Sequence, residues 1–317
     1  MTEHLEAGST RSGPLWQDDY LAPPAIPTGE KPSDVLNVIW RKNDVFLDIG
    51  EWALGSAVMV LHTGIFTAIA ILLFTGGFGG VNLGLSIGYS IVLGIPILIL
   101  LYGLTKPVPP PIRFNRQRRE VCVPQKDGSH WFVSWESVKA VGTAVSSVGQ
   151  HGRSTQGLLV IGFPNPQWDG KSEEGKEYSL ALSCGGGTTA MAMWECIRSY
   201  MEVGPDAVPK CNFEGENQRR SLLGWYYLIL SDAAKAFARG DIGAALKDVF
   251  FTICLGVPIG LYLQERKLVP PPDLIDPTVV EWSKSLPPEQ WAKRSPELQR
   301  AILAREAELA EEADRAA

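Results

Sequence analysis

Two long apolar runs dominate the hydrophobic pattern of the first third of the chain. Residues 52–74 and 83–104 contain no Asp, Glu, Lys or Arg, and each matches the about 20 residues that a helix needs to cross a bilayer. A helix of a soluble domain is rarely apolar on every face over this length. The linker, residues 75–82, is short and rich in glycine, so the two helices would be antiparallel neighbours. The pattern predicts a transmembrane hairpin over residues 52–104.

Basic residues flank this hairpin on both sides, and its turn has none. Arg41 and Lys42 precede it. A cluster follows it that consists of Arg113, Arg116, Arg118 and Arg119. The positive-inside rule then places both ends of the hairpin in the cytoplasm. We interpret the four arginines as a membrane-interface cluster that sets topology, although contact with anionic headgroups, worth about 1 kcal/mol per basic residue, is an alternative.

Three features inside the predicted hairpin suggest specific roles. His62 lies near the middle of the first run, and an ionisable residue at that depth raises the hypothesis of a proton relay. The second run offers it no acidic partner, which favours a neutral imidazole hydrogen-bonded to a carbonyl or hydroxyl. Gly84 and Gly88 form a GxxxG step that would let the two helices approach closely. Pro96 predicts a local kink.

The pattern changes to strand-like alternation after the proline spacer that follows the hairpin. Runs of alternating or β-branched residues, separated by turn signals such as Asp127-Gly128, continue to about residue 183. An apolar stripe of helical period, from Ala190 to Met201, then predicts one helix that Gly204-Pro205 ends. This element order over residues 108–205 predicts an antiparallel β barrel or roll with a C-terminal helix. A β-sandwich is the rival fold.

The phrases IRFNRQRREVCV and VSWESVKAVG in this region resemble a pleckstrin-homology-like module. The chain is similar to an uncharacterised proteobacterial family of membrane proteins that carry such a module beside a transmembrane hairpin. Genes of that family often lie near type VI secretion or polymorphic-toxin genes. The resemblance implies an α+β membrane protein of the bacterial inner membrane, multi-pass, with its N-terminus and β domain in the cytoplasm.

A second apolar region follows at residues 219–264. Trp225, Tyr226 and Tyr227 suit the membrane interface, where amphipathic aromatic rings settle. Residues 249–263 are apolar for less than a full span. Three interpretations stay open: an interfacial or re-entrant helical pair, a third true span, or a helical pair packed on the β domain. The echo between LYGLTKPVPPP and LYLQERKLVPPP favours a pair that returns to the side it entered from.

The two ends of the chain are polar and rich in proline. Residues 1–51 predict a disordered or juxtamembrane arm. Residues 270–317 predict a proline-rich, charged tail, in which Val279 and Trp282 form one anchoring turn. From Ser295 onward, Glu and Arg at helical spacing predict a solvated single helix.

Composition and motifs argue against several classes of function. The net charge of −6 is not the basic footprint of a nucleic-acid-binding protein. The five cysteines include no CxxC pair, so we expect reduced thiols and no metal or other cofactor. The sequence has none of the common catalytic motifs. His151 as a base and the glycine-rich turn at Cys184 as an anion or thiol site are weak candidates, so the chain is not predicted to be an enzyme.

Three functions therefore remain. The first is an immunity protein of a type VI secretion or toxin system, which neutralises a cognate effector by binding it. The alternative is a membrane-tethered adaptor that recruits a secretion-system or other protein partner through the β domain. The third is a small channel or sensor built from oligomerised hairpins. The lipid bilayer is a predicted partner in each case, and the sequence is compatible with a homo-oligomer.

Overall fold

The computed structural model describes residues 10–14, 16–20, 26–34, 36–50, 52, 55–74, 83–149, 152–171, 175–185, 189–211 and 219–316. It divides into two compact units. The sheet unit consists of Met1–Glu51, Pro110–Glu214 and Asp273–Ala317, and the helical unit consists of Trp52–Pro109 and Gly215–Pro272. The helical unit thus consists of two chain segments, or insertions, each of which interrupts the sequence of the sheet unit.

Ten described strands belong to the sheet unit: β1 (Thr10–Ser12), β2 (Trp16–Tyr20), β3 (Ile39–Lys42), β4 (Phe46–Ile49), β5 (Ile112–Asn115), β6 (Glu120–Pro124), β7 (His130–Ser134), β8 (Lys139–Gly149), β9 (Gly152–Pro164) and β10 (Glu177–Gly185). Eight α-helices are described: α1 (Gly55–Phe74), α2 (Leu83–Thr105), α3 (Thr189–Glu202), α4 (Leu222–Ala238), α5 (Ile242–Ile253), α6 (Val257–Leu268), α7 (Pro277–Trp282) and α8 (Pro296–Ala316). The chain is therefore a mixed α+β protein.

The strands form two antiparallel five-stranded sheets, of order β1-β2-β8-β9-β10 and β3-β4-β5-β6-β7. Among the described strands neither sheet closes on itself, so the closed barrel of the barrel-or-roll prediction is wrong, whereas the antiparallel pairing is confirmed. The predicted disordered arm is also wrong for β3 and β4, because Ile39, Leu47 and Ile49 of these strands are buried in the core. The strands between residues 112 and 185 acquire neighbours from the N-terminal segment, which a reading of the middle region by itself cannot anticipate.

The core of the sheet unit is aromatic. Trp135 stacks on Trp194 of α3 with ring centroids 5.6 Å apart, and it meets Phe114 of β5 edge-on at 6.0 Å. All three side chains are fully buried. Helix α3 covers the core with the apolar stripe that the sequence predicts, including Ile197 and Tyr200. The prediction of a helix after the strands is confirmed.

The C-terminal segment packs on the sheet unit. Trp282 of α7 lies 5.2 Å from Phe132 of β7, centroid to centroid, which confirms the predicted anchoring turn. Leu298 and Ile302 of α8 are buried and pack against Ile26. The predicted solvated single helix is therefore wrong for the first half of α8, because its thin apolar stripe is enough to dock.

The helical unit contains the apolar helices. One described helix, Ile87–Thr105 within α2, is long and apolar enough to cross a membrane, with a mean hydropathy of 2.2 and none of its window buried. The described apolar part of α1, Gly55–Ile71, is shorter than the 18 residues required of a candidate span. Helices α5 and α6 would form a second candidate span only if this bent pair is counted as one helix.

Helices α1 and α2 meet where Gly64 approaches Leu93. Gly88 faces open space, so the GxxxG prediction is wrong at Gly88.

Candidate functional site

The four predicted interface arginines do not form one exposed surface. Arg113 and Arg119 are only 3% and 8% exposed, which argues against the alternative of contact with lipid headgroups. Their role in setting topology stays a prediction. Arg116 and Arg118 are partly buried. Each donates to a backbone carbonyl, Arg116 to that of Val203 at 3.2 Å and Arg118 to that of Trp282 at 2.9 Å. The cluster mainly joins segments of the sheet unit.

Arg113 lies at the centre of a buried ion-pair network. Its Nε and Nη2 donate to the two carboxylate oxygens of Asp48 at 2.6 and 2.7 Å, and Nη2 also reaches Asp273 at 2.7 Å. Its Nη1 donates to Ser283 at 3.0 Å. Arg41 of β3 completes the network at 3.4 Å from Asp48 and 3.3 Å from Asp273. The network thus contains two positive and two negative charges and is neutral as a whole.

The members of this network stand where the chain leaves and re-enters the sheet unit. Asp48 lies in β4, just before the first insertion, and Arg113 lies in β5, just after it. Asp273 is the first residue after the second insertion. The network therefore binds together three chain segments of the sheet unit that the insertions separate in sequence.

A second buried carboxylate, Glu202 at the end of α3, accepts hydrogen bonds from three side chains. Trp135 Nε1 donates at 2.8 Å and Arg119 Nη1 at 3.0 Å, and Arg294 donates through its Nε. Burial alone would raise the pKa of Glu202, but the hydrogen bonds and the positive charges outweigh it and hold that pKa below its ordinary value. Glu202 is therefore a stable anion that connects the core to the C-terminal segment.

An open cavity of about 460 Å³ adjoins Glu202 within the sheet unit. Its lining is basic and comes from three segments, the β5–β6 turn, the end of α3 and the stretch that leads into α8. The lining residues are Arg116, Arg119, Met201, Glu202, Trp291, Ala292, Lys293, Arg294, Pro296 and Gln299. Two of the predicted interface arginines are thus brought together here with two cations that the sequence analysis did not single out.

In the helical unit, α1 crosses the break between α5 and α6. These two helices are bent by 65°. His62 Nε2 lies 2.9 Å from the carbonyl oxygen of Ile253, and Thr63 Oγ1 donates to that of Cys254 at 3.3 Å. Because a carbonyl only accepts, Nε2 carries the proton. The predicted hydrogen bond from His62 to a carbonyl is confirmed.

Gly256 makes this close crossing geometrically feasible. It has a φ of +64°, and a Cβ added to it would lie 2.5 Å from Cγ of the His62 ring. One turn further along α6, a Cβ added to Gly260 would lie 3.5 Å from the Gly55 Cα. Small residues thus let α6 approach α1.

The predicted interfacial aromatics lie at the start of α4. Trp225 Nε1 donates to Glu265 at 2.8 Å, and Arg220 stacks over the Trp225 ring at 4.9 Å. Tyr226 is partly buried and Tyr227 is 77% exposed. The pairing of Trp225 with Glu265 joins α4 to α6 inside the helical unit. Their placement at a membrane interface stays a prediction.

The weaker candidates for chemistry gain nothing from the structure. His151 and the glycines after Gly185 lie outside the described residues. None of the five cysteines, all of which lie among the described residues, forms a disulfide, and burial raises the pKa of the Cys184 thiol, which is the opposite of activation. Burial likewise raises the pKa of Cys122 and Cys196 to about 12. Across the described residues, no three His, Cys, Asp or Glu side chains are grouped so as to hold a metal ion.

Sequence reasoning missed the Arg113 network and the partners of Glu202. Asp48 and Arg113 are 65 positions apart, and Glu202 and Arg294 are 92 apart. Local patterns hold no signal for pairs at such separations. The run of arginines contributes one member to each arrangement, because Arg113 pairs with Asp48 and Arg119 pairs with Glu202.

Comparison with known proteins gives one match. A family model described as a family of unknown function (DUF6708) matches residues 89–286. This range is more than half of the chain, and it runs from α2 to the residues just after α7. No curated protein and no solved structure matches the chain.

Proposed function

The chain belongs to the DUF6708 family of unknown function, and on that premise we propose that it is a non-enzymatic, membrane-anchored binding protein. In this proposal the helical unit anchors the chain in the bilayer, and the sheet unit binds a protein partner on the cytoplasmic face. The binding role of the sheet unit rests on the resemblance of two phrases within residues 108–205 to a pleckstrin-homology-like module, although the described sheets do not close into a barrel. This support is by analogy of fold class only.

The observation that carries the anchor is the surface of α2. Large apolar side chains are exposed around this helix, for example Val92 at 67%, Leu98 at 66% and Ile99 at 65%. Soluble proteins rarely expose contiguous apolar patches larger than a few hundred Å². Such a surface favours a lipid environment, in which a helix satisfies its own backbone groups.

The specific form that we propose is an immunity protein of a bacterial secretion or toxin system. Its support is the resemblance to proteobacterial membrane proteins encoded near such genes. An immunity protein needs affinity and no catalysis, which is compatible with a sheet unit whose buried carboxylates Asp48 and Glu202 are paired with arginines. The cognate effector would act in the inner membrane or on its cytoplasmic face.

Cysteine labelling tests the anchor and its orientation. Single cysteines at Gly79, in the predicted turn, and at Asp127, in the sheet unit, are treated in intact cells with a membrane-impermeant thiol reagent. The native cysteines are first replaced. We expect labelling at Gly79 only. Labelling at Asp127 places the sheet unit outside the cytoplasm and refutes the orientation, and release of the protein by alkaline carbonate refutes the anchor.

A competition experiment tests the immunity role separately. The gene is deleted beside an intact neighbouring toxin gene, and the mutant is co-cultured with its parent. We expect the mutant to be killed and to be rescued by the gene in trans. Unchanged survival refutes the immunity role but does not bear on the membrane anchor. It would favour the adaptor alternative, in which the partner is a cytosolic protein.

A further inference from the structure

The basic cavity beside Glu202 has more hydrogen-bond donors than acceptors. Both oxygens of Glu202 are occupied by Trp135, Arg119 and Arg294, and the Gln299 side-chain oxygen accepts from Arg294 at 3.1 Å. Arg119 is 8% exposed, and its Nε has no hydrogen-bond partner. Arg119, which lines the cavity, therefore carries one donor that no group of the described residues satisfies.

The charges of the cavity are also unbalanced. Arg119 and Arg294 are offset by Glu202 and by Glu136, whose Oε1 lies 3.4 Å from Arg119. The remaining two cations, Arg116 and Lys293, form no ion pair within the described part of the chain. Arg116 stacks over the Trp291 ring at 5.4 Å, which orients its guanidinium group. Two positive charges thus remain beside a cavity of about 460 Å³.

We propose that this cavity binds a phosphate monoester group, held by Arg116 and Lys293 with Arg119 behind them. The charge favours phosphate over carboxylate, because a phosphate monoester carries about −1.5 to −2 charges at neutral pH and matches the two cations that have no ion pair. Guanidinium forks and ammonium groups are the donors that phosphate oxygens favour. The volume lies within the range of small-ligand sites, roughly 300–1,000 Å³. This site is independent of the proposed protein-binding function.

Calorimetric titration of the full-length protein in phosphatidylcholine nanodiscs tests the site. Inorganic phosphate and glycerol phosphate are the probes, and acetate is the carboxylate comparison. We expect saturable binding of both phosphates and weaker binding of acetate. Acetate that binds as tightly as phosphate, or phosphate that does not bind, overturns the proposal.

Lys293→Ala is the decisive variant, and Lys284→Ala is its matched control. Both lysines are exposed residues of the sheet unit, but Lys284 pairs with Glu281 and does not line the cavity. We expect Lys293→Ala to weaken glycerol phosphate binding by about tenfold, the loss of one charge-assisted hydrogen bond, and Lys284→Ala to leave it unchanged. Equal affinities of the two variants overturn the proposal even if phosphate binds.

The source of the phosphate group is resolved by adding phosphatidic acid to the nanodiscs. If a lipid headgroup occupies the cavity, glycerol phosphate binds more weakly in these discs. If the ligand is a soluble phosphate ester, its affinity does not change. Either result supports the site, provided that the Lys293→Ala effect is present.

Discussion

Arg113 holds both carboxylate oxygens of Asp48, with Nε–Oδ1 and Nη2–Oδ2 distances of 2.6 and 2.7 Å. The two residues face each other in the antiparallel register of β4 and β5. The chain passes through the whole first insertion between these two strands. A bidentate guanidinium–carboxylate pair is strong and specific in geometry, so this pair fixes the register at which the chain returns to the sheet.

Removing one partner of this pair leaves an uncompensated buried charge. We expect Arg113→Met to lower the free energy of unfolding of the sheet unit by about 3–5 kcal/mol. The measurement is denaturant unfolding followed by the fluorescence of the buried tryptophans. Arg300→Met is the control, because Arg300 and its partner Glu297 are 77% and 75% exposed, and it should cost less than about 1 kcal/mol. Equal losses would contradict the assignment.

The stability contribution of Glu202 depends on pH in a defined direction. Its folded-state pKa lies below the ordinary value of 4.5. Its stabilisation is therefore complete above that ordinary value and is lost as the pH falls through the lowered folded-state pKa. We expect Glu202→Gln to destabilise the protein near neutral pH, and the gap from wild type to shrink in acid. Unfolding curves across pH measure this, with Glu297→Gln as the exposed control, and a gap that widens in acid would refute it.

Two features of Gly256 disfavour a side chain there: its positive φ and the closeness of the His62 ring. We expect Gly256→Ala to lower the thermal stability of the protein in detergent more than Gly240→Ala does. Gly240 has a φ of +82° but open space around its would-be Cβ, so its variant carries only the dihedral cost of about 1–2 kcal/mol. Adding His62→Ala should recover part of the excess, because it removes the ring atoms but leaves the His62 Cβ 3.0 Å from the added Cβ. No difference between the two alanine variants would show that the crossing of α1 and α6 is looser than described.

An arginine introduced on the exposed face of α2 tests whether lipid or water surrounds this helix. Leu98 of α2 and Leu303 of α8 are both exposed leucines on helices, at 66% and 56%. We expect Leu98→Arg to reduce the membrane-inserted fraction strongly, because arginine at the centre of a spanning helix costs about 2.5–3.5 kcal/mol on insertion scales. Leu303→Arg should have no effect. Equal tolerance of both substitutions in membrane fractionation would contradict a lipid environment for α2.

Several elements follow from the sequence alone. The predicted apolar segments 52–74 and 83–104 correspond closely to α1 and α2, and the stripe from Ala190 to Met201 corresponds to α3. Each of these rests on periodicity within one continuous stretch of chain. The anchoring turn at Trp282 and the hydrogen bond of His62 to a carbonyl follow from the chemistry of single residues.

Tertiary structure alone decided how the segments join. Strands β3 and β4 from the N-terminal segment pair into one sheet with β5, β6 and β7, and the arginines of the predicted interface cluster join segments of the sheet unit. The physical reason is distance along the chain. Hydrophobic period and residue type act over a few positions, whereas strand partners such as Phe46 and Asn115 and ion pairs such as Asp48 and Arg113 are selected by the packing of segments that a whole helical insertion separates.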